Sequence, residues 1–293
     1  MTKNVLRALM PKKVWQLLSM AKKIVLSGGA VNLKNIKFIK NSESVIVLGN
    51  GPSLKNDLEK IAEKAETHDF VCVNNFCSSP YYNIFKPSMY VFLDGYFFTE
   101  NAHSDWIIQR ETTFKILNEK TNWKMLIILP FSADESILKR QITNNNILIV
   151  KTKLIGVESS HFNSWIKFIY DSGHFSPQLN NVLLGAIFYS IWANYKRILI
   201  YGADLSFHKD IEVNQSNNHL FMKFRHFNSN EHIEILKRGP TKKDYETMFY
   251  MLDGQAKTFK GHELISNYAK SKNIQIYNKS SFSYIDAYAR MEK

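Results

Sequence analysis

Five short clusters in this chain carry residue types that can hold a polar, phosphorylated ligand. They are Gly49-Asn50-Gly51-Pro52-Ser53, Asn74-Asn75, Asp94-Gly95, Asn180-Asn181 and Gly202-Ala203-Asp204. Glycine lets backbone amides approach an anionic group, and a helix N-terminus behind such a turn adds about half a positive charge to hold it. Asparagine amides and aspartate carboxylates can hydrogen-bond a base or ribose hydroxyls. Each cluster has a plainer explanation too. A glycine turn can serve tight packing alone, and paired asparagines can close an Asx turn. Their shared placement in the chain is the stronger signal.

Four of the five stand directly after apolar, largely β-branched runs that read as buried strands, at 45–48, 70–73, 89–93 and 197–201. Further strands are expected at 125–129, 147–150 and 273–277. After the first turn, Leu54, Leu58, Ile61, Ala62 and Ala65 recur at helical spacing, with Ser53 in position to cap the helix. Other helices are expected near 104–119 and within 241–271. The stretch 182–193 is apolar on nearly every side and must be buried, with Asn180 and Asn181 at its N-terminus. Residues 158–181 read as irregular. This alternation predicts an α/β fold: a Rossmann-like, open and mostly parallel sheet with helices on both faces. The strand ends then line one edge, where ligands of such sheets bind. Two regions are expected, a basic amphipathic segment at 1–42 and the Rossmann-like domain at 43–293. The domain carries a lid insertion at about 206–240, polar and without periodicity but holding Phe207, Phe221, Phe224 and Phe227.

The first turn is not the dinucleotide fingerprint, which would need glycine where Leu54 stands. Nor is it a Walker loop, since no Gly-Lys-Ser/Thr follows. A nucleotide or nucleotide-sugar site of another kind fits the polar, hydroxyl-seeking strand ends with a phosphate near the first turn. Asp-x-Asp occurs nowhere in the chain. A site without it should bind a donor that leaves with less charge, or neutralise that charge by Lys, Arg and Tyr.

Bulk composition narrows the classes. With 293 residues, 45% of them hydrophobic, the chain can bury a sizeable core and is not low-complexity. Its net charge of +12 suits a nucleic acid, an anionic membrane surface or anionic small substrates. The basic residues are dispersed outside the N-terminus and no RNA-recognition or helix-turn-helix motif is present, so no nucleic-acid partner is expected. Cys72 and Cys77 make no disulfide framework, and Cys72 reads as core. The histidines lack metal-ligand spacing, so no metal is expected. A reducing cytoplasm fits. No apolar run reaches the roughly 18 residues of a membrane span. Lys12, Lys13, Lys22 and Lys23 break up any signal peptide. Val14, Trp15, Leu17, Leu18 and Ala21 can share one helical face, so residues 1–30 suit peripheral contact with the inner membrane surface or ordinary packing on the domain. Self-association is left open.

The segment Val45-Ile46-Val47-Leu48-Gly49-Asn50-Gly51-Pro52-Ser53-Leu54 resembles the N-terminal signature of the bacterial sialyltransferases of glycosyltransferase family 42. Val73-Asn74-Asn75-Phe76 resembles that family's second-strand motif. The stretch Asn194-Tyr195-Lys196-Arg197-Ile198-Leu199-Ile200-Tyr201-Gly202-Ala203-Asp204 resembles its nucleotide-binding core. Asp204-Leu205-Ser206-Phe207 followed by histidine is also similar to the related domain of motility-associated (flagellin) glycosyltransferases. The likeness spans roughly residues 43–280, and its specific part is the strand-end motifs.

The resemblance implies a GT-A-like variant of the Rossmann-like domain and an inverting transfer from CMP-sialic acid or a related CMP-sugar, with no metal or other cofactor. The acceptor would be an oligosaccharide or lipid-linked glycan of the bacterial surface. Carried over by position, Asn50, Gly51 and Ser53 would meet the donor phosphate and ribose, and Asn74 the CMP moiety. Asn180 and Asn181 stand near a Thr-Ser pair of the family, and Gly202 and Asp204 would line the cytidine side. Asp94 could orient a ligand hydroxyl. The family's general base is a lid histidine, for which His219 is the first choice, His226 the second and His208 the third. A histidine suits the task because its ordinary pKa near 6.5 lets it take a hydroxyl proton at neutral pH. The family places tyrosines on the departing phosphate. Here Ser206 and Phe207 stand near one such place, so Lys223 or Arg225 could substitute.

Two other classes compete. Archaeal-type pterin pyrophosphokinases resemble the same Gly-Asn-Gly-Pro-Ser-Leu turn and transfer diphosphate from ATP. That chemistry wants magnesium between paired carboxylates, for which only Asp94 and Asp204 are on offer. A non-catalytic polyanion-binding protein would use the charge of +12 alone.

Overall fold

The computed structural model describes residues 18, 22, 30–224, 227 and 231–290. The chain alternates strands and helices through its first half. β1 (Ser44–Leu48) leads through a 3₁₀ turn, Pro52–Asn56, into the short helix α1 (Leu58–Ala62). Then come β2 (Asp69–Val73), α2 (Tyr82–Phe85), β3 (Met89–Val91) and α3 (Ser104–Lys120). β4 (Met125–Leu129), α4 (Glu135–Gln141) and β5 (Ile147–Lys151) complete this half. β6 (Ile155–Val157), α5 (Ser164–Asp171), β7 (Phe175–Pro177), α6 (Val182–Trp192) and β8 (Arg197–Tyr201) follow.

Next lie three short strands, β9 (Ile211–Val213), β10 (Leu220–Phe224) and β11 (His232–Ile235). The ribbon β12 (Lys237–Arg238) and β13 (Asp244–Tyr245), the long helix α7 (Met248–Ser271) and β14 (Gln275–Asn278) end the elements.

Seven strands form one sheet in the order β14-β8-β1-β2-β3-β4-β5, and every pairing in it is parallel. The strands are buried on both faces, which is why they read as continuous apolar runs. Their residues alternate between two cores. Val45, Val47, Val71 and Val73 pack with α5, α6 and α7, while Ile46, Leu48, Phe70 and Cys72 pack with α1 to α4. This is the expected α/β, Rossmann-like sheet with helices on both faces. α6 is buried from Leu183 through Ile191, as its composition requires.

The sequence reverses direction across the sheet between β1 and β8. From β1 the chain proceeds outward to β5, then returns to lay β8 on the other side of β1. The crevice at the carboxyl ends of those two strands is the topological switch point, where open α/β sheets bind ligands.

Three local expectations differ from the structure. The continuous helix over 54–65 is instead a 3₁₀ turn and one short helix. Tertiary bonds fix this segment: Asp204 takes the amide and hydroxyl of Ser53, and the Asp57 carboxylate accepts the amide of Ser281 at 3.1 Å. Ser53 therefore caps no helix. The stretch 158–181 is not irregular, for it holds α5, capped by Asn163, whose Oδ1 accepts the Ile166 amide. Its inward residues Ile166, Ile169 and Tyr170 sit at helical spacing, but the exposed Trp165 and Phe168 blur the pattern. The lid segment carries the antiparallel sheet β11-β10-β9, whose Leu220 and Met222 pack with Leu236 in a small core of their own.

Residues 31–42 pack onto the domain, so the boundary drawn at 42 falls within a packed stretch. Val31 bridges to Thr152, and Leu33 is 1% exposed inside the core shared by α5, α6 and α7. Val14, Trp15, Leu17 and Ala21, offered for a membrane-surface helix, lie outside the described residues. Among the described residues no helix is long and apolar enough to cross a membrane.

Candidate active site

At the switch point the loops after β1 and β8 are pressed together. The Gly49 amide donates to the Tyr201 carbonyl at 2.8 Å, and the Gly51 amide to the Gly202 carbonyl at 2.9 Å. A Cβ on Gly51 would lie 2.0 Å from Oδ2 of Asp204 and 2.6 Å from the Gly202 oxygen, so no side chain fits. Gly202 has φ of +63°, and its own Cβ would stand 2.7 Å from the Gly49 oxygen. The glycines of the first turn thus permit close packing, and the amides of Gly49 and Gly51 bond to the neighbouring loop. The helix that follows is too short to bring a dipole to the turn.

Asp204 completes this junction. Its carboxylate accepts the Ser53 amide at 3.0 Å and the Ser53 hydroxyl at 2.6 Å, and it is 4% exposed. Burial pushes its pKa up, against the pull of those two bonds. Residues near the C-terminus brace the same loop: Ser280 Oγ accepts the Ala203 amide, and the Tyr284 amide donates to the Asp204 carbonyl.

One strand further along the edge, Asn74 adopts the left-handed region with φ of 48°. Its carbonyl accepts the Tyr90 hydroxyl at 2.6 Å, which fixes that conformation. Its Nδ2 donates to Asp94 Oδ2 at 2.6 Å, leaving Oδ1 buried without a partner in the protein. Burial raises the Asp94 pKa, with the Asn74 bond opposing. Asn75 is engaged otherwise: Oδ1 accepts the Thr113 hydroxyl at 2.7 Å, and Nδ2 donates to the Tyr96 hydroxyl at 3.3 Å. Asn50 donates from Nδ2 to the Val73 carbonyl at 3.3 Å, tying the first loop to the second.

These loops enclose a cleft of about 310 Å³ lined by most of the strand-end residues singled out in the sequence; Ser53, Asn75 and Gly95 are not among its lining residues. Asn50, Gly51, Asn74, Asp94, Gly202 and Asp204 line it from the sheet edge, and Asn180 and Asn181 from the start of α6. Asn181 caps that helix, its Oδ1 accepting the Leu183 amide at 2.7 Å. The N-terminal end of α6, eleven residues long, therefore opens on the cleft and supplies the positive end of a dipole that the first turn lacks. Ser206, Phe207 and Lys223 also line the cleft, and the Lys223 ammonium pairs with Glu231 at 2.5 Å.

Compared with solved structures, the chain is similar to that of the MAf glycosyltransferase from Magnetospirillum magneticum AMB-1. The TM-score is 0.49 and the identity 11%, over 93% of this chain and 37% of that one. The chain thus spans well under half of that protein's length. No family model matches the sequence, and no curated protein matches it.

The histidines of the lid divide. His219 stacks on Tyr245 with ring centres 3.8 Å apart, and His208 stands edge-on to Tyr284 at 4.5 Å. Neither lines the cleft. His226, and with it Arg225, lies outside the described residues. His232, which sequence reasoning passed over, lines a second cavity of about 780 Å³ whose wall also includes Asn50, Asn74 and Asp94. It shares one face of β11 with Glu234, two residues on, and its ring stacks on Phe224. Gln109, Thr112 and Thr113, at helical spacing on α3, line the same cavity. That polar stripe was the available signal for it. Among the described residues no three His, Cys, Asp or Glu side chains cluster to hold a metal ion.

Proposed function

We propose that this chain is a glycosyltransferase that holds a CMP-activated nonulosonic acid in the switch-point cleft and passes the sugar to a glycan hydroxyl with inversion. The observation that carries the reading is the convergence of Asn50, Asn74, Asp94, Asn180 and Asn181 around one cleft, with Gly202 and Asp204 at its base. Asn50, Asn74, Gly202 and Asp204 fall in the motifs that resemble those of the family 42 sialyltransferases, and Asn180 and Asn181 stand near a Thr-Ser pair of that family. The cleft's chemistry agrees with a nucleotide sugar. The buried Asn74 Oδ1 calls for a donor such as a hydroxyl or an exocyclic amine. The start of α6 offers positive potential to a single phosphate, with Lys223 alongside, its charge shared with Glu231.

In this reading the acceptor hydroxyl attacks the anomeric carbon as a lid histidine takes its proton. The bond from that carbon to the phosphate oxygen breaks, and CMP leaves from the opposite face. His232 is the proposed base, because it lines the cavity that adjoins the cleft while His219 and His208 pack against tyrosines elsewhere. A monophosphate leaving group carries less charge than a diphosphate, which suits a chain without Asp-x-Asp.

Thermal stabilisation by a panel of CMP, CDP, UDP, GDP, ADP and ATP, with and without magnesium, tests the reading. A shift with CMP that is indifferent to magnesium is expected. A shift confined to magnesium-ATP would replace it with diphosphate transfer. A preference for UDP or GDP would keep a glycosyltransferase but remove the nonulosonic donor.

A further inference from the structure

We propose that the second cavity, under the lid sheet, is the acceptor subsite and takes the uncharged, hydroxyl-rich end of a glycan. The inference rests on the glycosyltransferase reading of the cleft and extends it to the other substrate.

The argument begins with a shared wall. Asn50, Asn74 and Asp94 line both the cleft of about 310 Å³ and the cavity of about 780 Å³. A molecule in each would therefore meet at these residues, and group transfer requires the reacting atoms to approach to roughly 3–3.5 Å. The buried Oδ1 of Asn74 lies at this junction without a protein partner and can accept a bond from a substrate hydroxyl. Strand β10 runs between the two spaces, contributing Lys223 to the cleft and the next residue, Phe224, to the cavity. Successive residues of a strand point to opposite faces, so one short strand serves both.

The lining indicates what the cavity would take. Tyr96 and Trp106 supply aromatic surface, and Gln109 and Thr112 supply an amide and a hydroxyl. Aromatic surface beside amides and hydroxyls matches a sugar, which has apolar C–H faces and a rim of hydroxyls. Charge narrows the class. The carboxylates in the wall are Asp94 and Glu234, and no Lys or Arg is among its described lining residues. Lys242, which pairs with Glu234 at 3.2 Å, lies with its ammonium 4.6 Å from the centre of the Trp106 ring and so is held in place by both. No cation in that described lining would pair with the carboxylate of an acidic sugar, whereas a neutral sugar can donate its hydroxyls to Asp94 and Glu234. His232 stands in the same wall, where an acceptor hydroxyl could hand over its proton.

Binding of the labelled full-length protein to a glycan array, at saturating CMP, tests this. Thr112 and Gln109 are exposed at the cavity's edge, so Thr112→Trp and Gln109→Trp can fill it without disturbing the core. We expect the wild type to bind glycans with neutral termini in preference to acidic ones, and each variant to lose that binding at least tenfold. The CMP-induced rise in Tm should stay unchanged in both. An intact CMP shift with no glycan bound, with acidic termini preferred, or with binding that survives both substitutions would overturn the acceptor assignment alone. A missing CMP shift in the wild type would instead remove the donor reading beneath it.

Discussion

Two aspartates stand at the same edge of the same sheet, each three residues beyond a strand, and their surroundings give them different work. Asp204 accepts both the amide and the hydroxyl of Ser53 and is nearly sealed, with the residues at 280–284 wrapped behind its loop. Asp94 receives one bond, from Asn74, and lines both cavities. Burial raises the pKa of each. Position at a strand end therefore says where a ligand can sit but not which carboxylate meets it. Asp204 clamps the two loops of the switch point together; Asp94 stands open to both cavities.

The largest effect should come from breaking the clamp. Asp204→Ala leaves the buried Ser53 amide without its acceptor and its hydroxyl with only the Phe282 carbonyl at 3.4 Å, and a lost partner of this kind costs about 1–3 kcal/mol. We expect about 3 kcal/mol of destabilisation, seen as a drop of roughly 6–10 °C in Tm. Loss of less than about 1 kcal/mol with loss of CMP binding would reverse the roles of the two aspartates. Asp94→Asn is the counterpart. It keeps a polar partner for Asn74, so stability should change by less than about 1 kcal/mol. CMP affinity or turnover should fall by about tenfold or more, because a charged acceptor facing the substrate is gone.

Both roles were only half legible in the chain. Buried parallel strands announce themselves as β-branched runs, and the polar residues that end them mark the binding edge. Hence the sheet and the cleft could be foreseen from 45–48, 70–73, 89–93 and 197–201. The Ser53–Asp204 bond joins residues 151 positions apart, and no local pattern encodes it. The adjacent asparagines make the same point. Asn75 is bound by Thr113 and Tyr96, whereas Asn74 turns into the left-handed region and faces the cavities. Which lid histidine looks inward depends on the pairing of Phe224 with His232, a register that short strands without a long apolar pattern do not reveal.

Acidity separates a third buried group from the two aspartates. His262 is fully buried, its Nδ1 2.9 Å from the Tyr288 hydroxyl, and burial lowers its pKa to about 3. The unfolded chain binds a proton there below about 6.5, while the fold does not, so this group's stability is present above pH 6.5 and is lost as pH falls towards 3. The slope from this residue should rise as pH falls below 7 and approach about 1.4 kcal/mol per pH unit near pH 5. Urea midpoints measured between pH 7 and 5 should show it in the wild type and not in His262→Leu. The raised pKa values of Asp94 and Asp204 act with the opposite sign, because the fold there favours the protonated form. Loss of CMP affinity on acidification should therefore begin above the ordinary aspartate range near 3.9 and disappear in Asp94→Asn. An acid-side loss that persists in that variant would move the titrating group elsewhere.

The smallest effect is expected at His219, and its contrast with His232 bears on the proposed role of the open side of the comparison. The His219 ring lies flat on Tyr245, which also has the Lys237 ammonium 5.6 Å from its ring centre. That arrangement fastens the β9–β10 turn to β13 and directs no nitrogen into the cleft or its neighbour. His219→Ala should therefore cost at most about 1 kcal/mol of stability and change transfer by less than about twofold. His232→Ala should lower transfer by about 10²-fold while leaving the CMP shift intact, as removal of a general base does. Placing both variants beside Asp94→Asn separates proton removal from substrate binding, since only the aspartate should alter CMP affinity. If His219→Ala instead abolished transfer in a protein that still melts and binds CMP like the wild type, the lid would have to rearrange on binding. The base would then come from the face of the lid that packs against Tyr245, and the wall shared by the two cavities would serve binding alone.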